Sequence, residues 1–291
     1  MSDPHAHDGE PRAVTSPNEA ERAGSFGAVA SHYERYRPGP SVAVLDWILP
    51  MHVGRVVDLG AGTGALTRLL IGRADEVVAV EPDDRMRSVL MEEVPGVRAV
   101  PGRGESMPIP DGSADAVLAS SSWHWMDPIT TLNEVGRVLV PGGVLGVLWS
   151  GPDPEAPLVV QARALLAERS RGGAGAAAGE DGERDQHGGE MASLLMGDAY
   201  RPTLTLEIPH GVPFDPPEHE VFVWDVALNA DELIGLLGTI SWIILMPEET
   251  RERVLAGARR LLAESLGVDG DVTVDVQFRA DAWRSRRNDG A

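Results

Sequence analysis

The chain of 291 residues contains no cysteine, which removes disulfide cross-links, cysteine-ligated zinc and thiolate nucleophiles together. Lysine is missing as well. All 25 basic residues are arginine, so no Walker lysine can meet a phosphate and no lysine can form a Schiff base or hold pyridoxal phosphate. Against 45 acidic residues the formal net charge is −20, a balance that repels a phosphate backbone and argues against nucleic acid as a partner. No apolar run approaches the ~20 residues of a membrane-crossing helix, and the first residues lack the basic and apolar segments of a secretory signal. The expectation is a cytoplasmic protein with no membrane partner. His5-Ala6-His7-Asp8 reads as solvated tail, because no further ligand is positioned to close a metal site, and no metal is expected.

What is present centres on residues 56 to 64, Val-Val-Asp-Leu-Gly-Ala-Gly-Thr-Gly, an apolar strand running into Gly60, Gly62 and Gly64. Glycines at this junction let backbone approach a ligand where a Cβ would clash, and the helix that follows would present free N–H groups. Gly60-x-Gly62-x-x-Ala65 also satisfies a loose dinucleotide fingerprint. Two acids separate the readings. Asp58 stands two positions before the first glycine, where a cationic ligand gains from negative charge and a pyrophosphate does not. Glu81 closes the next apolar run, Val77 to Val80, where a carboxylate can accept from ribose hydroxyls; the competing reading is a solvated strand end.

Four runs read as buried parallel strands: Arg55 to Leu59, Glu76 to Val80, Ala114 to Ser120 and Val144 to Trp149. Helical patterns separate them, among them Ile129, Leu132, Val135 and Leu139 leading to a turn at Pro141-Gly142-Gly143. This alternation implies an α/β fold with an open, doubly wound sheet and a ligand outside the carboxyl ends of its strands. Later the period changes: Val272, Val274, Val276 and Phe278 alternate with polar residues, as in an antiparallel strand paired beside a sixth strand near Glu220 to Leu228. Residues 1–17 read as a disordered tail, 18–50 as helical, 51–168 as a cofactor-binding core, 169–191 as a mobile glycine-rich loop, and 192–291 as the remainder of the same domain with acceptor-site elements.

With these motifs in this order, the sequence resembles the class I S-adenosylmethionine-dependent methyltransferases, in the small-molecule branch that includes trans-aconitate and quinone-precursor methylases. Asp58 to Gly64 is similar to their first motif, Val80-Glu81-Pro82 to the ribose-binding strand end, Gly102 to Pro108 to the segment bordering adenine, and Ser122 to Asp127 to the stretch after the fourth strand. The resemblance implies a Rossmann-like sheet of seven strands, mostly parallel with an antiparallel last strand, and an N-terminal helical cap. It implies S-adenosylmethionine as cofactor. Gly60, Ala61, Gly62 and Gly64 would approach its methionine part with Asp58 beneath, Glu81 the ribose, Pro82 and Met86 an adenine face, and Gly104, Glu105 and Ser106 the adenine edge. Ser120 and Ser121 would close the opposite side, and Tyr33 and Arg37 of the cap would reach the methionine carboxylate.

The expected partner is a small-molecule acceptor, with homodimer formation left open. Methyl transfer needs the acceptor atom held in line, and a dry cavity favours an anionic nucleophile. Tyr36, Trp123, Trp125 and Trp242 are the candidates to line that cavity. His124, just beyond a central strand, is the candidate catalytic residue: it suits removal of a hydroxyl proton, and it equally suits ordering the loop or binding an acceptor carboxylate. The reaction expected is methylation of a carboxylate or hydroxyl oxygen. The alternatives are a dinucleotide oxidoreductase and a protein that uses the cofactor structurally or for a non-methylating reaction such as cyclisation.

Overall fold

The computed structural model describes residues 36, 38–161, 164, 205–239, 241–244 and 246–288. The tail at 1–17, nearly all of the cap helix including Tyr33 and Arg37, and the loop at 169–191 lie outside the described residues.

A short helix, α1 (Val42–Ile48), is capped by the Ser41 hydroxyl and buries Val44, Leu45 and Ile48. Strands β1 (Arg55–Leu59) and β2 (Glu76–Val80) share one burial pattern in which every residue after the first is inside. That pattern explains their lack of polar alternation: both faces are covered, and each fully buried valine or leucine stabilises by about 1.5 to 3 kcal/mol. Between them α2 (Ala65–Leu70) packs on β1 and β2, and after them come α3 (Asp84–Glu93), capped by Asp83, and a short β3 (Arg98–Val100). The sequence pattern did not announce β3, because a three-residue strand has no period to detect. Next in the chain are β4 (Ala114–Ser120), α4 (Pro128–Val138) and β5 (Leu139–Pro152). Helix α4 starts where Asp127 caps the Thr130 N–H and proline occupies the first turn, a position that needs no amide hydrogen.

The carboxyl half adds β6 (Glu218–Leu228), α5 (Ala230–Gly238), α6 (Ser241–Ile244), α7 (Glu248–Leu266) and β7 (Val274–Arg286). A reciprocal capping box between Asn229 and Glu232 opens α5, and left-handed Gly267 (φ 67°) ends α7. Among the described residues the sheet has seven strands in the order β3-β2-β1-β4-β5-β7-β6. Neighbours are parallel from β3 to β5, and β7 runs antiparallel to both β5 and β6. The fold is therefore the expected doubly wound α/β, Rossmann-like sheet with an antiparallel last strand.

Two differences from the sequence reading have a physical reason. The Pro141-Gly142-Gly143 turn lies inside β5, where pairing with β4 is interrupted between Ala114 and Ala116 and left-handed Gly142 (φ 77°) lets the strand kink and resume. Strand β7 runs on to Arg286 beyond the alternating residues, because between β5 and β6 its further residues, such as Ala280, Ala282 and Trp283, are covered on both sides. Val57, Leu59, Val80, Val117, Val147 and Trp149 face α4 on one side of the sheet, and Val56, Val77, Leu118 and Leu148 face α1 and α2 on the other. Among the described residues no helix is long and apolar enough to cross a membrane.

Candidate functional site

The chain leaves β1, builds outward through β2 and β3, and returns to β4 on the other side of β1, so the carboxyl ends of β1 and β4 flank the crevice where strand order reverses. Gly60, Gly62 and Gly64 at that end have φ of 69°, 58° and 99°, all in the left-handed region that favours glycine. Their neighbours differ. A Cβ at Gly60 would lie 2.5 Å from the Ser122 Cβ, whereas one at Gly62 would meet nothing within 4 Å. Gly60 is thus a packing requirement and Gly62 the bare floor of an open cradle.

The loop's amides are already used. Gly60 and Ala61 N–H both donate to the Val80 carbonyl (2.8 and 3.1 Å), Gly64 N–H to the Ala61 carbonyl (3.0 Å), and Gly62 N–H to Glu81 Oε2 (2.9 Å). These four loop amides are therefore spent within the protein, whereas the free N–H groups expected from the sequence belong to the helix that follows. A pyrophosphate, which needs such donors, finds spent amides and acidic side chains instead.

Glu81 is 7% exposed, and its second oxygen accepts from the Asp83 N–H at 2.8 Å. Burial raises its pKa against the lowering effect of those two backbone donors. Each carboxylate oxygen keeps acceptor capacity for a hydroxyl. Asp58, 1% exposed, lies beneath the loop and accepts from the Thr67 hydroxyl of α2 at 2.6 Å. Burial, opposed by the Thr67 hydrogen bond and aided by the neighbouring Glu81 charge, pushes its carboxyl up to about 7. Asp58 so ties β1 to α2.

On the β4 side, Ser121 is, among the described residues, the non-glycine with positive φ (53°), a left-handed conformation costing roughly 1 to 2 kcal/mol and typical of sites under functional constraint. Its N–H donates to the Leu148 carbonyl at 2.8 Å. Ser122, buried, donates from Oγ to the Leu59 carbonyl at 2.7 Å and so locks the end of β1 to the loop after β4. Ser120 is half-buried at the strand end. The turn Trp123–Trp125 then sends its three rings different ways. Trp123 is 5% exposed and packs in the core with Trp149 and Trp283, bracing the site from behind. Trp125 is half-buried and tilts against His124 at 4.5 Å between ring centroids. His124 is exposed, and its Nδ1 accepts from the Trp149 indole N–H at 3.1 Å.

The remaining expected residues differ in exposure and in the elements they pack on. Met86 is buried on α3 and Pro82 is exposed. Gly104 backs onto α4, where a Cβ would lie 2.5 Å from Met126 Sδ and 2.9 Å from Thr131 Oγ1. Glu105 Oε1 accepts from the Asp127 N–H at 2.7 Å and closes this loop on the start of α4, while Ser106 is exposed. The buried hydroxyls of Thr63, in the glycine loop, and Thr131, behind Gly104, have no hydrogen-bond partner. Tyr36 packs its ring on α5 at Gly235, where an added Cβ would lie 2.2 Å from it. The Trp242 side chain lies outside the described residues.

Sequence reasoning missed Ser122, Thr67 and Trp149. Ser122 opens one quoted motif and Thr67 stands just beyond another, but nothing local says that they bridge elements. Trp149 meets His124 only through the pairing of β4 with β5.

Comparison with known proteins agrees with this geometry. Residues 57–147 match the family model described as a methyltransferase domain. The chain is 36% identical over 239 residues to uncharacterised methyltransferases of Mycobacterium tuberculosis and Mycobacterium bovis, covering 82% of this chain and 86% of theirs. It is 30% identical over 152 residues to a malonyl-[acyl-carrier protein] O-methyltransferase of Methylococcus capsulatus, covering 48% of this chain and 55% of that one. Among solved structures, a protein from Anaeromyxobacter dehalogenans assigned as a type II methyltransferase shares the fold with a TM-score of 0.50 and 22% identity, over 87% of this chain and 98% of that one.

Proposed function

Because the chain belongs to the methyltransferase family, we propose that it transfers the methyl group of S-adenosylmethionine to an oxygen of a small-molecule acceptor. The observation that carries the cofactor reading is the cradle itself: four loop amides are spent, the space over Gly62 is open, and buried Glu81 and Asp58 make the surroundings acidic. That chemistry suits a cationic donor with a ribose and disfavours a dinucleotide. When bound, S-adenosylmethionine supplies an electrophilic methyl group on sulfur.

The chain's own residues do the rest. Gly60 to Gly64 shape the floor, Glu81 accepts from the ribose hydroxyls, and Met86, Pro82 and the Gly104 to Ser106 loop border the base. Ser120, Ser121 and Ser122 fix the opposite rim. Tyr33 and Arg37, outside the described residues, remain assigned to the methionine carboxylate. His124 and Trp125 face the acceptor, with Tyr36 and Trp242 as further lining and Trp123 behind them. Oxygen as the methylated atom is supported by the partial relative that methylates an oxygen of malonyl-acyl-carrier protein, and by a formal charge of −20 that gives no purchase to a nucleic-acid acceptor.

The test is calorimetry with S-adenosylmethionine and S-adenosylhomocysteine, followed by release of the latter in the presence of a panel of carboxylic acids and phenols. Micromolar binding and turnover with a member of the panel are expected. A protein that ignores both compounds at millimolar concentration, or that binds a nicotinamide dinucleotide instead, overturns the reading.

A further inference from the structure

We infer that Trp149 is a positioning residue that fixes the Nε2–H tautomer of His124, so that His124 does not serve as the base for a hydroxyl acceptor and the site favours an acceptor oxygen that is already ionised. The inference rests on the assignment of His124 to the acceptor. An indole nitrogen only donates, so the 3.1 Å contact between Trp149 Nε1 and His124 Nδ1 makes Nδ1 the acceptor. A neutral imidazole that accepts at Nδ1 carries its one proton on Nε2, leaving no lone pair on Nε2 to take another. Placing a proton on Nδ1 would set two N–H groups against each other.

The indole is also held by β7. Trp149 is 6% exposed, and Trp283 of β7 meets it edge-on, with centroids 5.3 Å apart at 81°. Strand register explains the contact: Trp283 pairs with Val147, two residues before Trp149 and on the same sheet face. His219 of β6, the cross-strand partner of Trp283, stacks on it at 4.3 Å and 21°. Three adjacent strands thus fix the direction of one N–H.

The chemistry separates two acceptor classes. Methylation of a neutral hydroxyl must release a proton, and the locked ring has nowhere to receive it without losing the Trp149 bond. Methylation of a carboxylate releases none: the carboxylate oxygen forms the bond to the methyl carbon, the carbon–sulfur electron pair stays on sulfur, and an ester and a neutral thioether result. An Nε2–H donor complements that anion without lowering its charge.

Nitrogen NMR of the histidine rings in the full-length folded protein tests the lock without knowledge of the acceptor. His124 is expected to show the neutral Nε2–H pattern, and Trp149→Phe, which keeps an aromatic ring against Trp283, to convert it to a mixture of tautomers. In turnover assays Trp149→Phe should raise KM for the acceptor roughly 3- to 10-fold, as loss of one hydrogen bond does, with kcat and cofactor affinity nearly unchanged. His124→Gln, which retains a donor but no base, should keep turnover of a carboxylic acid within about 10-fold of the parent. A proton on Nδ1 in the parent, an unchanged tautomer in Trp149→Phe, or abolished turnover in His124→Gln overturns the inference. If Trp149→Phe does not fold, the parent spectrum and His124→Gln decide it. Absence of cofactor binding overturns instead the proposed function, which the tautomer measurement does not touch.

Discussion

At the β1 and β2 end, the site is closed by hydrogen bonds from the Gly60, Ala61 and Gly62 amides to the Val80 carbonyl and the Glu81 carboxylate, whereas at the β5 to β6 end it is backed by Trp149, met edge-on by Trp283, on which His219 stacks. The first arrangement tolerates almost no change in backbone angle, because alternate residues of the loop, Gly60, Gly62 and Gly64, have positive φ. The second consists of side chains that can be shortened one at a time. Damage at the first end should therefore disturb fold and cofactor together, and damage at the second should affect the acceptor alone.

The largest effect is expected from Gly60→Ala. Its added Cβ combines a left-handed conformation with a 2.5 Å approach to Ser122, for about 3 kcal/mol of lost stability, seen as a lower urea midpoint. Glu81→Gln comes next: replacing a charged acceptor by a neutral one should weaken cofactor binding roughly 10- to 100-fold in calorimetry. Gly62→Ala sharpens the comparison within the loop. With nothing within 4 Å of the new methyl, stability should fall only by about 1 kcal/mol, while cofactor affinity drops about tenfold or more. Cofactor binding unchanged in Gly62→Ala would show that the cradle's floor lies elsewhere.

A pH effect belongs to the same end. The folded-state pKa of Asp58 is raised from 3.8 to about 7, so between these values the native state keeps a proton that the unfolded chain has lost. Its contribution to stability is fullest below about pH 4 and declines as pH rises toward about 7. Urea titrations across this range should show a fall for the parent and a shallower one for Asp58→Asn. The smallest effect is reserved for the far end: His219→Ala removes one stacking partner, should lower stability by about 0.5 to 1.5 kcal/mol in thermal unfolding, and should leave cofactor affinity as it was. A tenfold loss of cofactor affinity in that variant would break the division.

The same division explains what could be read from residue order. Strands β1, β2 and β4 are largely apolar runs that stop before Gly60, before Glu81 and at Ser120 respectively, and their boundaries match the expectation because the signal is local. Glu81 was legible as a carboxylate at a strand end, but its bond to Gly62 was not, since it depends on how two loops meet. Likewise His124 was legible as a histidine after a strand, yet its hydrogen-bonding role is set by Trp149 of β5, and the bracing of Trp149 by β7. No spacing rule connects those positions; only the order of strands in the sheet does. Pro141-Gly142-Gly143 shows the converse, a correct local signal for a bend whose consequence was absorbed by strand pairing.

Strand β7 lies between β5 and β6 although it follows both in the chain. Among the described residues, β6 therefore has no strand partner during synthesis until residues 274–286 have left the ribosome, and the apolar flank of β5 waits with it. A nascent chain halted before that point would carry two sticky borders at once. The prediction is a protein that gains its solubility late and in a single step, and that depends on holdase chaperones while the final strand is still in the exit tunnel.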